Sequence, residues 1–119
     1  MPVITIAETR TKMRDDPEWW KIHFFDFVDN FRYYKDPEAI REPFETGDER
    51  MDAILASVAE SICDELKLPV PEWLNKIPAC KEPYFVAGLE NLKATAIVES
   101  PLRFRIRKIF VLENFLYRV

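Results

Sequence analysis

Hydrophobic and polar positions along the chain fall into periodic stretches divided by proline. No Gly or Pro interrupts residues 18–34. At 100° per residue, Trp20, Phe24, Phe27, Val28, Phe31 and Tyr34 lie within about 120° of arc, the core-facing stripe of an amphipathic helix. Asp16 suits the N-cap, Pro17 the first helical position, and Glu18 the positive end of the dipole. The other side carries a second apolar group, Trp19, Ile22, Phe25 and Tyr33, interrupted by Asp26 and Asp29. Eight of the sixteen aromatic residues sit in this one helix. It is therefore either sandwiched between other elements or docked on a partner, because aromatic side chains anchor interfaces.

The same logic divides the rest of the chain. "KDPEAIREP" repeats the Asp-Pro-Glu opening and supports one short helical turn before Pro43. "ETGDERMDAILASVAESICDELKL" places Met51, Ile54, Leu55, Val58, Ile62 and Leu66 at steps of three and four. It predicts a helix from about Gly47 to Lys67, with Thr46 and Glu49 in capping-box spacing. "LPVPEWLNKIPACKEPY" holds four prolines and reads as an extended connector with one turn over residues 71–74, pinned to the core by Trp73 and Tyr84. "GLENLKATAIVES" predicts a helix from about Leu89 to Glu99.

"SPLRFRIRKIFV" admits two structures. With a period of two, Leu102, Phe104 and Ile106 face one way, and Arg103, Arg105 and Arg107 form a ladder on the other face of a strand. Alternatively, Pro101 disfavours α geometry at Ser100, and Ser100 can cap a helix whose first residue is Pro101. The alternation is too short to outweigh the cap signal, so a helix from Pro101 to about Lys108 is favoured, with Phe104 facing the core.

Composition narrows the class. With 119 residues, the chain is read as one domain, residues 1–15 forming a loosely attached N-terminal segment. Only Gly47 and Gly88 can take positive φ cheaply, which argues against tight β-hairpins and phosphate-cradling loops. The expected fold is all-α, a compact bundle of four to five helices with a Pro-rich connector. No run approaches a membrane span and no signal peptide is visible at the start, so a cytoplasmic protein with reduced Cys63 and Cys80 is expected. The net charge of −4 is uneven: residues 1–60 hold 8 Lys/Arg against 14 Asp/Glu, residues 61–119 hold 9 against 7. The C-terminal excess centres on Arg103, Arg105, Arg107 and Lys108.

The quoted C-terminal residues, "ATAIVESPLRFRIRKIFVLENFLYRV", together with "MDAILASVAESICDELKLPVPEWL", resemble a small bacterial domain family. Its members share a helix followed by "LPVPxW" and a C-terminal "ESPxxFRxRxIFV" signature. The resemblance covers about Met51 to Val119, with Ile106 standing where a third consecutive basic residue is expected. It implies a domain found alone or behind helix-turn-helix regulators, in toxin–antitoxin-like settings beside nucleotidyltransferase-like proteins. No catalytic residues carry over from it.

Assembled chemistry is hard to find. His23 is the sole histidine and the two cysteines are seventeen apart, so no zinc-type spacing exists. There is no GxGxxG and no P-loop. The carboxylate pairs Asp26/Asp29 and Asp48/Asp52 are best explained as solvated helix faces. The basic group reads as scaffold, as an ionic seam to a protein, or, against a sequence pI near 5.1, as a nucleic-acid contact. The expectation is a non-enzymatic protein-binding module without cofactor, metal or small-molecule substrate. It would be an antitoxin-like or accessory partner, or a homodimer. Trp19, Ile22, Phe25 and Tyr33 would anchor the partner, and Arg103, Arg105, Arg107 and Lys108 would orient it. The alternative is a nucleic-acid-binding regulator using the C-terminal basic cluster.

Overall fold

The computed structural model describes residues 3–86, 92–112 and 115. It is an all-α bundle: six α-helices among the described residues, two 3-10 turns and one two-residue strand pair. The radius of gyration, 13.4 Å, is close to the ~13.5 Å of a fully compact chain of this length.

The N-terminal segment is no loose appendage. Helix α1 runs Ile6–Asp15, and Ile6 and Met13 are buried along with Thr9 and Arg10. A complete capping box starts it: the Glu8 amide donates to Thr5 Oγ1 (3.1 Å) and the Thr5 amide donates to Glu8 Oε1 (2.7 Å). Hydrophobic periodicity is weak here because a buried cation occupies the inward face. The Arg10 guanidinium donates through Nε to Asp52 Oδ1 at 2.7 Å.

A 3-10 turn, Pro17–Trp19, precedes α2, Trp20–Tyr34. Asp16 makes no side-chain cap bond to this turn; its carboxylate lies 3.0 Å from His23 Nε2 instead. Phe24, Phe27, Val28 and Phe31 are fully buried, Phe27 stacks on Phe31, and Trp20 meets Phe24 edge-on. The turn after Asp36 is 3-10, Pro37–Ile40, with the Glu38 amide donating to Asp36 Oδ1.

Helix α3, Glu49–Leu66, is the axis of the fold. Ala53, Ile54, Leu55, Ala56, Ser57, Val58 and Ala59 are buried in succession, because α1 and α2 pack on it from some sides and the C-terminal elements from others. A helix buried all round needs apolar or small residues on every face, and this segment has them. Its cap is Asp48, which accepts from the Arg50 and Met51 amides, not Thr46.

The connector contributes α4, Glu72–Asn75, around buried Leu74. The Trp73 indole donates to the Ile40 carbonyl at 2.9 Å and meets the Phe44 ring edge-on. Strand β1, Tyr84–Phe85, then pairs in parallel with β2, Ile109–Phe110, with Tyr84 opposite Ile109 and Phe85 stacked on Phe110. Between them lie α5, Lys93–Glu99, and α6, Leu102–Ile106. The first residues of the helix expected from Leu89 fall outside the described residues.

Candidate functional site

The C-terminal arginines are on a helix, not a strand ladder, and the short helix divides them. Phe104 points into the core at 0% exposure. Ser100 does not cap α6; Pro101 holds the N-cap position with no side-chain bond. The Ser100 hydroxyl instead accepts from the Val111 amide at 2.8 Å and lies within reach of the Ala96 carbonyl, tying α5 to the strand behind it.

Arg107 is buried against buried Glu60 of α3, Nη1 donating to Oε1. Its Nη2 donates to the Leu74 carbonyl (2.7 Å) and its Nε to that of Ile77 (3.1 Å). Arg103 forks onto Asp64, Nε to Oδ2 at 3.0 Å and Nη2 to Oδ1 at 3.1 Å. The Asp64 hydrogen bond, against some desolvation, raises the Arg103 pKa above its ordinary value. Both arginines, expected to orient a partner, thus clamp the C-terminal segment to α3. Beside this seam is a concavity of about 310 Å³ bounded by Glu60, Asn75, Ile77, Pro78, Arg103 and Ile106. Arg105 and Lys108 remain exposed, and Lys108 reaches the Lys81 carbonyl at 3.3 Å from a left-handed backbone, φ 62°.

The α2 back face divides in a similar way. Trp19 is 53% exposed, Tyr33 77%, and Ile22 is also open to solvent. Phe25 does not join them: it is half-buried, edge-on to Phe24 at 5.2 Å and 5.3 Å from the Phe115 ring, so it belongs to the rim of the core. Trp19, Ile22, Asp26, Asp29 and Tyr33 follow one another at steps of three and four, a single outward stripe. An open groove of about 650 Å³ flanks its C-terminal half, lined by Ile4, Asp26, Asp29, Asn30, Tyr33 and Tyr34.

A second apolar face emerges only from the structure. Val98 (78% exposed), Leu102 and Ile106 all face solvent, with Ile97 beside them. Leu102 and Ile106 stand at i,i+4, the one sequence signal that marks them as a helix face. Alternation instead suggests that they pack inward beside Phe104.

The carboxylate pair Asp48/Asp52 is not a solvated face. Asp48 caps α3, while buried Asp52 holds Arg10 and accepts from the Gly47 amide at 2.9 Å. Burial, helped by the charges of Asp64 and Glu60, pushes the Cys63 thiol up to about 11, leaving it protonated at neutral pH and a poor nucleophile. Among the described residues no group of three or more His, Cys, Asp and Glu side chains could hold a metal ion, and no helix is long and apolar enough to cross a membrane. The fold and these faces define a small all-α bundle with two open apolar surfaces among the described residues. No family model, curated protein or solved structure matches this chain.

Proposed function

We propose that the protein is a non-enzymatic protein-binding module that works through the outward stripe of α2. The observation that carries this is the exposure of Ile22 and Tyr33 on α2, and of Trp19 in the 3-10 turn that leads into it, opposite the buried Phe24, Phe27, Val28 and Phe31. Large aromatic groups left in water on a rigid element gain burial when a partner covers them, at about 25 cal/mol per Å² of apolar area. An antitoxin-like or accessory role, occluding a partner rather than transforming it, fits the resemblance in the C-terminal half.

A nucleic-acid role has less support. Of the four cations in the C-terminal cluster, Arg103 and Arg107 are held by α3 carboxylates. Two phosphate contacts from Arg105 and Lys108 would give a salt slope of only about −1.8, too shallow for a dedicated binder.

The test is a Trp19→Ser/Tyr33→Ser variant of the tagged protein, expressed in its native host and cross-linked before purification. We expect the helical circular-dichroism signal and the melting temperature to stay near those of the wild type while the cross-linked partner band, self or foreign, is lost. A partner band of unchanged intensity would remove α2 from the binding face.

A further inference from the structure

A partner for the α2 stripe has to satisfy its centre as well as its ends. Ile22 and Tyr33 are eleven residues apart, about 16 Å along the axis, with Asp26 and Asp29 between them. Asp26 is exposed and its carboxylate has no partner among the described residues. Two α2 stripes cannot pair with each other comfortably. An antiparallel arrangement sets Asp26 of one copy against Asp29 of the next, twice, and a parallel one sets each against its own counterpart. Either way Asp26 of each copy faces an acidic side chain of the other in a closing interface, and like charges there cost heavily. The occupant must be apolar at its ends and cationic in its middle.

The molecule carries such a face. On α6, Leu102, Arg105 and Ile106 span about 100° of arc opposite buried Phe104, with Val98 of α5 extending the apolar surface. Arg105 is exposed, with no side-chain partner among the described residues, and Lys108 adds charge at the same end. The two faces are complementary in hydropathy and opposite in sign. They also do not compete within one molecule, since α2 and α6 both pack on α3 and neither needs the other's position.

We infer that the α5–α6 face of one copy docks on the α2 stripe of a second copy, with Arg105 seated at Asp26. This rests on the reading of α2 as the docking face and names its occupant. The contact is head-to-tail: each copy uses one face to give and another to receive, so assembly continues into a ring or an open chain.

Sedimentation velocity and light scattering on the full chain test this. The wild type should exceed its monomer mass of 14.1 kDa as concentration rises from micromolar to millimolar, and less so at high salt. An Ile22→Ser/Tyr33→Ser variant and a Leu102→Ser/Ile106→Ser variant should each be monomeric alone. Mixed, they should stop at a 1:1 dimer, because only one intact pair of faces remains. Asp26→Lys and Arg105→Glu should each abolish association, and the chain carrying both should recover it. All these positions are exposed; should a serine variant fail to fold, the charge-swap set is sufficient by itself. A wild type that stays monomeric, a single-face variant that still associates, or a failure of both mixture and double swap to restore association overturns the inference. If the wild type is monomeric yet the Trp19/Tyr33 variant loses a foreign cross-linked partner, self-docking fails and the binding role of α2 stands.

Discussion

Arg107 shows how a cation that looks available in sequence becomes part of the interior. Its guanidinium uses three different nitrogens on three acceptors, the Glu60 carboxylate and the carbonyls of Leu74 and Ile77. Removing it leaves two carbonyls without their donor and the buried Glu60 carboxylate with only the longer contact to Arg103, 3.8 Å away. Arg107→Met should therefore lower the urea-unfolding free energy by about 3–5 kcal/mol. Adding Glu60→Met should return about 2 kcal/mol of that loss, since the buried charge, held then only by the distant Arg103, goes with it. A double variant as unstable as the single would show that the ion pair is not the source of the effect. Arg103, half-exposed on Asp64, is the contrasting case, and such a pair is worth at most about 1 kcal/mol.

Cys63 offers a second check on the same scale. Held to about 11 by burial, it should resist iodoacetamide in the native protein at pH 8 and label only as fast as the chain unfolds. Cys80 and Tyr84 are raised in the same direction, desolvation being the largest cause for both. An acid whose folded pKa exceeds its unfolded one binds more protons when folded. Stability is then full below the unfolded pKa and is lost as pH climbs through the folded value. For Cys63 that window runs from 9.0 to about 11, and urea midpoints measured across it should fall.

At the element scale, the start of α3 separates a local motif from the bond that is made. Thr46 and Glu49 have capping-box spacing, yet Asp48 accepts the two first-turn amides at 2.9 and 3.1 Å. Asp48→Ala should cost about 1 kcal/mol in thermal or urea unfolding, and Thr46→Ala a few tenths at most. Equal losses would restore the box to Thr46. Ser100 is a similar case: a good N-cap by type, it is drawn away by the Val111 amide once β2 is in place. Helix ends in a chain with two glycines show the same economy of means, since Lys35 and Lys67 take the left-handed C-cap positions with φ near 54° and 60°. The long helices α2 and α3 were legible because each repeats its apolar face over four or more turns. α1 was not, because its inward face uses Thr9 and Arg10, and Arg10 is apolar-compatible only when Asp52 arrives from 42 residues away.

At the scale of the whole molecule, the basic half meets the acidic half inside the fold at Glu60, which Arg107 and, at 3.8 Å, Arg103 both reach. The Arg10–Asp52 and Arg103–Asp64 pairs each join elements within one half. Glu60 and Asp64 of the central helix hold Arg107 and Arg103 of the last described one, and Asp52 of α3 holds Arg10 of the first. These pairs fasten both ends of the chain to one axis. Among the described residues two opposed faces stay open: an acidic-centred aromatic stripe along α2 and a cationic-centred aliphatic face on α5 and α6. Head-to-tail assembly is the outcome expected of two such faces on one body, and mass measurements on the single-face variants decide it.

The residues by themselves determined the helical class, the long core stripe of α2, the identity of α3 as an amphipathic helix and the proline-marked breaks, because these depend on neighbours three and four positions apart. They could not decide which polar groups are buried, that the C-terminal segment contributes a strand beside Tyr84 and Phe85, or that Phe25 turns to the core while Tyr33 does not. Those outcomes depend on partners dozens of residues away, and only the packed chain brings a carboxylate, a carbonyl or a ring to the place where the choice is made.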